Sequence, residues 1–116
     1  MADSGTANKR LRKQSLGSNT NTWGDTKLNE VLDAIDQCMD GYESIALTGN
    51  LTLATTNYTT ADQAKYRVIA FTGSVASSVT FPSVSGWYLT INAMTATLTC
   101  LCSGGTGITI PAGRTV

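Results

Sequence analysis

The sequence predicts a mainly β fold: a polar N-terminal arm (residues 1–22), one amphipathic helical segment (residues 23–42) and a small antiparallel β-sandwich or barrel-like domain (residues 43–116). Three observations carry this. After Tyr42, seven short runs alternate apolar and polar residues with period two, separated by Gly, Asn, Ser or Pro. The stretch from Asp25 to Tyr42 has a helical period instead. Residues 68–113 carry no charged side chain, yet Thr and Ser interrupt the apolar runs well short of the roughly 18 residues of a membrane span. Thr suits a strand and accepts water on its outer face, so 19 Thr in 116 residues point to sheets packed on one side and wet on the other.

The arm comes first. Formal net charge is zero, but Lys9, Arg10, Arg12 and Lys13 hold half of the eight basic residues. "MADSGTANKRLRKQ" lacks the apolar stretch of a secretory signal, which leads us to expect synthesis in a cytoplasm. With Leu11 and Leu16 as its few large apolar residues, the arm cannot repay its own ordering entropy, so it is expected to be extended and ordered by another protein. Four charges would give salt-dependent affinity for a phosphate backbone, but no aromatic residues are interleaved with them. An acidic protein surface is the expected partner of this cluster, and nucleic acid is not.

The joint and the helix follow. With Gly24 as N-cap, Trp23 and Leu28 take the two positions of a hydrophobic staple, and Asp25 lies in the first turn, where its charge complements the helix dipole. Leu28, Val31, Ile35, Cys38 and Tyr42 step by three and four like a coiled-coil seam, with Leu32 and Met39 beside it. Fewer than three heptads fit either a short trimeric bundle or a helix lying on its own domain. Gly41 is the expected stop.

Along the strands, the inner face is predicted to hold Ile45, Leu47, Leu51, Leu53, Val79, Phe81, Leu89, Ile91, Leu98, Cys100, Cys102, Ile108 and Ile110. "TTADQAKY" (residues 59–66) breaks the alternation with helix formers and reads as a turn or one-turn helix crossing an end of the sandwich.

Little of this is catalytic. The chain has no histidine, which removes the usual general base and zinc ligand. Asp33, Asp36 and Asp40 share one helix side, and such a trio is far more often a solvated face than a metal site. "GGTG" (residues 104–107) leads into a strand and reads as a tight turn rather than a phosphate loop. Cys38, Cys100 and Cys102 read as small buried hydrophobes, since residues two apart in a strand share a face without bridging geometry. No cofactor, metal or enzymatic activity is expected. A carbohydrate-binding β-module is the reading from a different class; Trp87, Tyr88, Phe71 and Phe81 would serve it, but no acid accompanies them between residues 68 and 113.

In "GSNTNTWGDTKLNEVLDAIDQCMDGY" the order Gly-Ser-Asn, Thr-Trp-Gly, Leu-Asn, Ile-Asp resembles the N-terminal segment of many tailed-bacteriophage fibre and other virion proteins. "LTGNLTLATTNYTTADQAKYRVIAFTGS", "VTFPSVSGWYLTIN" and "GTGITIPAGRTV" are similar to the β-domain that often follows it, so the resemblance covers roughly residues 15–116. It implies a virion structural protein, made in the host cytoplasm, whose N-terminal segment attaches a trimeric fibre to the tail or neck, or alternatively a head fibre or capsid-decoration protein. Its partners would be itself and other virion proteins, with no membrane involved. A fibre continuing past Val116 would carry any contact with the host receptor.

Overall fold

The computed structural model describes residues 3–15, 17, 19–55, 61–84 and 86–116. Strands β1 (Ser4–Gly5) and β2 (Arg12–Lys13) pair antiparallel, so the arm doubles back on itself. Residues Trp23–Leu28 form a π turn in which the Lys27 N–H donates to the Thr22 carbonyl (2.9 Å), and helix α1 spans Asn29–Asp40. Thr22 is therefore the cap residue, not Gly24. The wider turn rotates the first residues about the axis, so the geometry of a staple does not arise: Trp23 and Leu28 are both exposed. The Asp25 side chain lies outside the described residues.

Gly41 stops the helix as expected. Its N–H donates to the Gln37 carbonyl (3.0 Å) while its own carbonyl accepts from the Val68 N–H (3.0 Å). A Cβ here would run into the Gln37 carbonyl, so the close approach requires glycine. Helix and first strand are thus joined rigidly.

Seven strands follow, one for each period-two run: β3 (Tyr42–Ala46), β4 (Leu51–Thr52), β5 (Val68–Thr72), β6 (Ser77–Phe81), β7 (Leu89–Asn92), β8 (Leu98–Cys102) and β9 (Ile108–Ile110). A 3-10 turn at Gln63–Lys65 occupies the predicted break in the alternation. The predicted mainly β class, with one short helix and a small β-domain, is the observed one.

The pairing direction is a correction. β3, β5 and β7 form one parallel sheet, and β4, β6 and β8 a second, to which β9 adds antiparallel. From β3 to β8 the chain crosses from one sheet to the other after every strand, making a β-solenoid of three coils. The register advances 26 residues from Tyr42 to Val68 and 21 from Val68 to Leu89. The short connections at 47–50, 73–76 and 93–97 resemble hairpin turns in sequence, but each carries the chain to the facing sheet, and hydrogen bonding is with the strand one coil away. A single coil cannot bury its inner side alone; stacked coils share one core.

That core contains Leu47, Leu53, Ile69, Phe71, Val79, Phe81, Leu98 and Ile110, drawn from both sheets. Three predicted inner positions turn out exposed: Cys102, Ile108 and Leu89. The last marks an inversion of β7. Thr90 and Asn92 stand in register with the core residues Ile69 and Phe71 and are buried, whereas Leu89 and Ile91 align with Val68 and Ala70 on the outer side.

Asn92 is tolerated inside because its carboxamide is fully used. Its Nδ2 donates to the carbonyls of Ala96 (3.0 Å) and Ile110 (2.9 Å), and its Oδ1 accepts from the Met94 N–H (3.0 Å). Asn92→Ala is expected to lower unfolding free energy by about 2–3 kcal/mol in a urea titration, because a buried N–H and carbonyls lose their partners. Beyond β9 the chain runs back along β7: the Thr90 and Val116 backbones exchange hydrogen bonds of 2.7 and 2.8 Å. The antiparallel return covers the edges of both β7 and β8.

Candidate self-association surface

The basic cluster folds onto its own chain. Lys9 lies over the Tyr88 ring, its Nζ 4.6 Å from the centroid, and donates to the Ala64 carbonyl (3.3 Å). Arg10 pairs through Nε with Oδ2 of Asp62, which also meets Lys65 Nζ at 3.2 Å and caps the 3-10 turn by accepting from the Ala64 N–H. Asp62 and Lys65 have no exposed side-chain surface, and burial pulls the Lys65 pKa down. Arg10 adopts φ of +55°, a left-handed conformation costly for a residue with a Cβ, held by the Arg10 N–H to Thr6 carbonyl bond (3.1 Å) and by the Asp62 pair. Arg12 bridges Asp3 (2.7 Å) and Glu30 of α1 (3.0 Å). Lys13 is the exposed member of the four.

The expectation that another protein orders the arm therefore does not hold for these residues. Sequence reasoning missed that their counter-charges lie in the same chain, at Asp62 and Glu30. An isolated Asp62–Lys65 pair at the border of a 46-residue neutral run was the available signal. Burial, before any charge effect, also raises the Cys38 and Tyr88 pKa values, and it pushes the Cys100 thiol up to about 11.

Asp3 gathers the arm's other end. It accepts from the Ser15 N–H (2.9 Å) and the Asn19 side chain (2.8 Å) and meets Arg12; these contacts, the Ser15 bond foremost, hold its carboxyl down at about 2. A carboxyl depressed in the fold stabilises it fully above the ordinary value of 3.8, and that contribution disappears as pH falls through about 2. The protection of the Ser15 amide, taken relative to its intrinsic exchange rate at each pH, should accordingly fall between about pH 4 and pH 2, and Asp3→Asn should abolish the pH step.

Helix α1 buries one narrow face and leaves much of its apolar stripe exposed. Ala34 and Gln37 are the buried pair, the Gln37 carboxamide donating to the Asp62 carbonyl (3.2 Å). Val31 and Cys38 are half-buried, and Cys38 lines a depression with Lys9, Arg67 and Trp87. They leave the predicted seam. What remains outside is Leu28, Leu32 (53% exposed), Ile35, Met39 (62%) and Tyr42 (59%), spaced four, three, four and three. Of these, Leu32, Ile35 and Met39 lie within α1, spaced three and four as in one heptad of an a/d repeat with Leu32 and Met39 at a and Ile35 at d; Leu28 closes the π turn and Tyr42 opens β3. Asp33, Asp36 and Asp40 are exposed beside it. Trp23 stands at the start of the stripe, 62% exposed, against a polar depression of about 430 Å3 lined by Gln14, Ser15, Asn19 and Thr20.

On the solenoid itself an uncharged groove of about 490 Å3 runs past Phe81, Trp87, Tyr88, Cys100 and Ile108. Among the described residues no group of three or more His, Cys, Asp or Glu is placed to hold a metal, and no helix is long and apolar enough to cross a membrane. Comparison with protein-family models, curated proteins and solved structures found no match for this chain.

Proposed function

We propose that the chain is a bacteriophage virion structural protein, the N-terminal segment of a tail fibre, which assembles as a trimer and attaches the fibre to the tail or neck. The observation that carries this reading is the exposed apolar stripe of α1, Leu32, Ile35 and Met39, with Leu28 and Tyr42 exposed just beyond its two ends: the helix packs on its own chain through Ala34 and Gln37 and leaves this stripe outside. Leu at a beside Ile at d favours more than two strands. A three-coil solenoid has a small core, so an oligomer that buries more apolar surface would add to its stability.

Attachment in this reading falls to the exposed Trp23 and its polar surroundings together with Lys13, since Lys9, Arg10 and Arg12 are occupied within the chain. An aromatic anchor beside hydrogen-bonding side chains is the usual composition of an interface centre. Light scattering after gel filtration at micromolar concentration is expected to give three times the 12.2 kDa chain mass. A stable monomer would sink the assembly reading. Trp23→Ala should leave that mass unchanged while reducing incorporation into particles; unchanged incorporation would remove Trp23 from the attachment site.

A further inference from the structure

The four-stranded sheet ends on β9, beyond which no further strand pairs among the described residues. In the antiparallel ladder with β8, Leu98 pairs with Ile110 and Cys100 with Ile108, and Thr109 lies opposite Thr99 between them. Pro111 has no N–H to give, so the ladder's hydrogen bonds fall on the Leu98–Ile110 and Cys100–Ile108 pairs. The Thr109 N–H and carbonyl therefore point away from β8, and among the described residues no other backbone group bonds to them.

Beside this edge the core is open. Ile108 stands in register with Cys100 on the inner side of the sheet, where Ile110 is buried, yet Ile108 is 62% exposed. It borders the groove of about 490 Å3 whose other walls include Phe81, Cys100 and Trp87, the last 79% exposed. No lining residue of that groove is charged. Strand edges left in water are commonly guarded by a lysine or an inward-pointing charge. Residues 68–113 carry no charge at all, so β9 has no such guard, and Pro111 closes the edge at one end alone.

A strand laid along β9 would place one residue opposite Thr109. The neighbours of that residue on either side would then point to the inner face, beside Ile108 and Ile110 and over the groove. The free groups are a backbone donor and acceptor on one strand edge, which an extended main chain matches. The uncharged groove accepts apolar side chains and would leave a charged one without a partner.

We propose that the outer edge of β9 is a docking site for an extended, uncharged segment of another protein, which adds a strand to the four-stranded sheet and seats alternate apolar side chains in the groove. The site uses neither the helix stripe nor Trp23, so it stands apart from the assembly reading above.

The test uses the whole chain and the capped, uncharged peptide Thr-Val-Thr-Val-Thr, which carries apolar residues on both sides of a central hydroxyl residue. Saturating peptide is expected to slow hydrogen exchange at the Thr109 amide at least tenfold. Methylating the backbone nitrogens of the peptide, which removes its main-chain donors, should weaken binding at least tenfold, as should replacing both valines by lysine. In the protein, Thr109→Pro deletes the outward N–H and leaves the ladder to β8 intact, and Ile108→Asp charges an exposed position. Both variants should keep the parent's circular dichroism spectrum and bind the peptide at least tenfold more weakly. If either variant misfolds, the altered peptides decide the question on the parent protein. The inference fails if the peptide does not bind, or if the methylated peptide binds as tightly as the unmodified one. It fails also if binding leaves the Thr109 amide unprotected, which would make the groove a site for small apolar ligands. Protection of that amide in the protein alone, lost on dilution, would show a second copy on the edge and equally overturn it.

Discussion

Replacing Leu32 and Ile35 together with Asp should convert the trimer proposed above to single chains while the solenoid stays folded. Neither side chain contributes to the buried core, being 53% and 36% exposed in the single chain. The substitutions therefore cost little in the monomer. In the assembly each copy loses two apolar contacts worth roughly 0.5–1.5 kcal/mol apiece, since both side chains are already partly buried in the single chain, and gains two carboxylates in a dry seam. Over three copies this exceeds the roughly 4 kcal/mol that corresponds to a thousandfold change in association. Light scattering should report the single-chain mass at concentrations where the parent protein gives the mass of the proposed trimer, with the monomer retaining its far-ultraviolet spectrum. Loss of the β spectrum instead would show that the stripe serves the chain's own fold. Because Asp33, Asp36 and Asp40 flank the seam in every copy, raising the salt concentration should strengthen association of the parent protein by screening their repulsion.

The second large effect is expected at Asp62. This carboxylate meets Arg10 and Lys65 and caps the 3-10 turn, with no exposed surface on itself or on Lys65. Removing one member of a buried charge cluster typically costs about 3–5 kcal/mol, chiefly because the remaining charges stay buried. Asp62→Ala should lower the urea midpoint accordingly, and the arm, no longer tied at Arg10, should become sensitive to trypsin at Lys9 and Arg10. Adding Lys65→Met should recover part of the stability, since it removes a buried cation and keeps an apolar stem. If Asp62→Ala changed stability by less than about 1 kcal/mol and left the arm protected, the arm would be held by its remaining contacts, those of Lys9 and Arg12.

Much of the architecture was legible along the chain. Each of the seven alternating runs is a strand, the helical stretch contains α1, and the helix formers at Gln63–Lys65 form the 3-10 turn. These are local properties: side-chain period, Gly and Pro positions and the reach of one turn. The candidate surface was half legible. Its residues were named, but Val31 and Cys38 were grouped with Leu32 and Met39, because on a helix a stripe of seven apolar residues does not say which edge faces the chain's own domain. The arm was misread for a related reason. Its polarity forbids a core of its own, but the counter-charge for Arg10 lies 52 residues away, where no local pattern reveals it.

By itself, then, the sequence determined which segments become strand or helix and that β-structure dominates, because a residue's period and backbone preferences act over a few neighbours. Only the tertiary structure decided that the strands stack in parallel coils, that β7 turns Leu89 and Ile91 outward, and that the basic arm folds back onto Asp62 and Glu30. Period-two alternation is the same whichever face is turned inward, and it is the same for parallel and antiparallel neighbours. The choice is made by contacts between residues 18 or more positions apart, such as Val68 with Leu89 and Asn92 with Ile110, whose energies no short window of sequence contains.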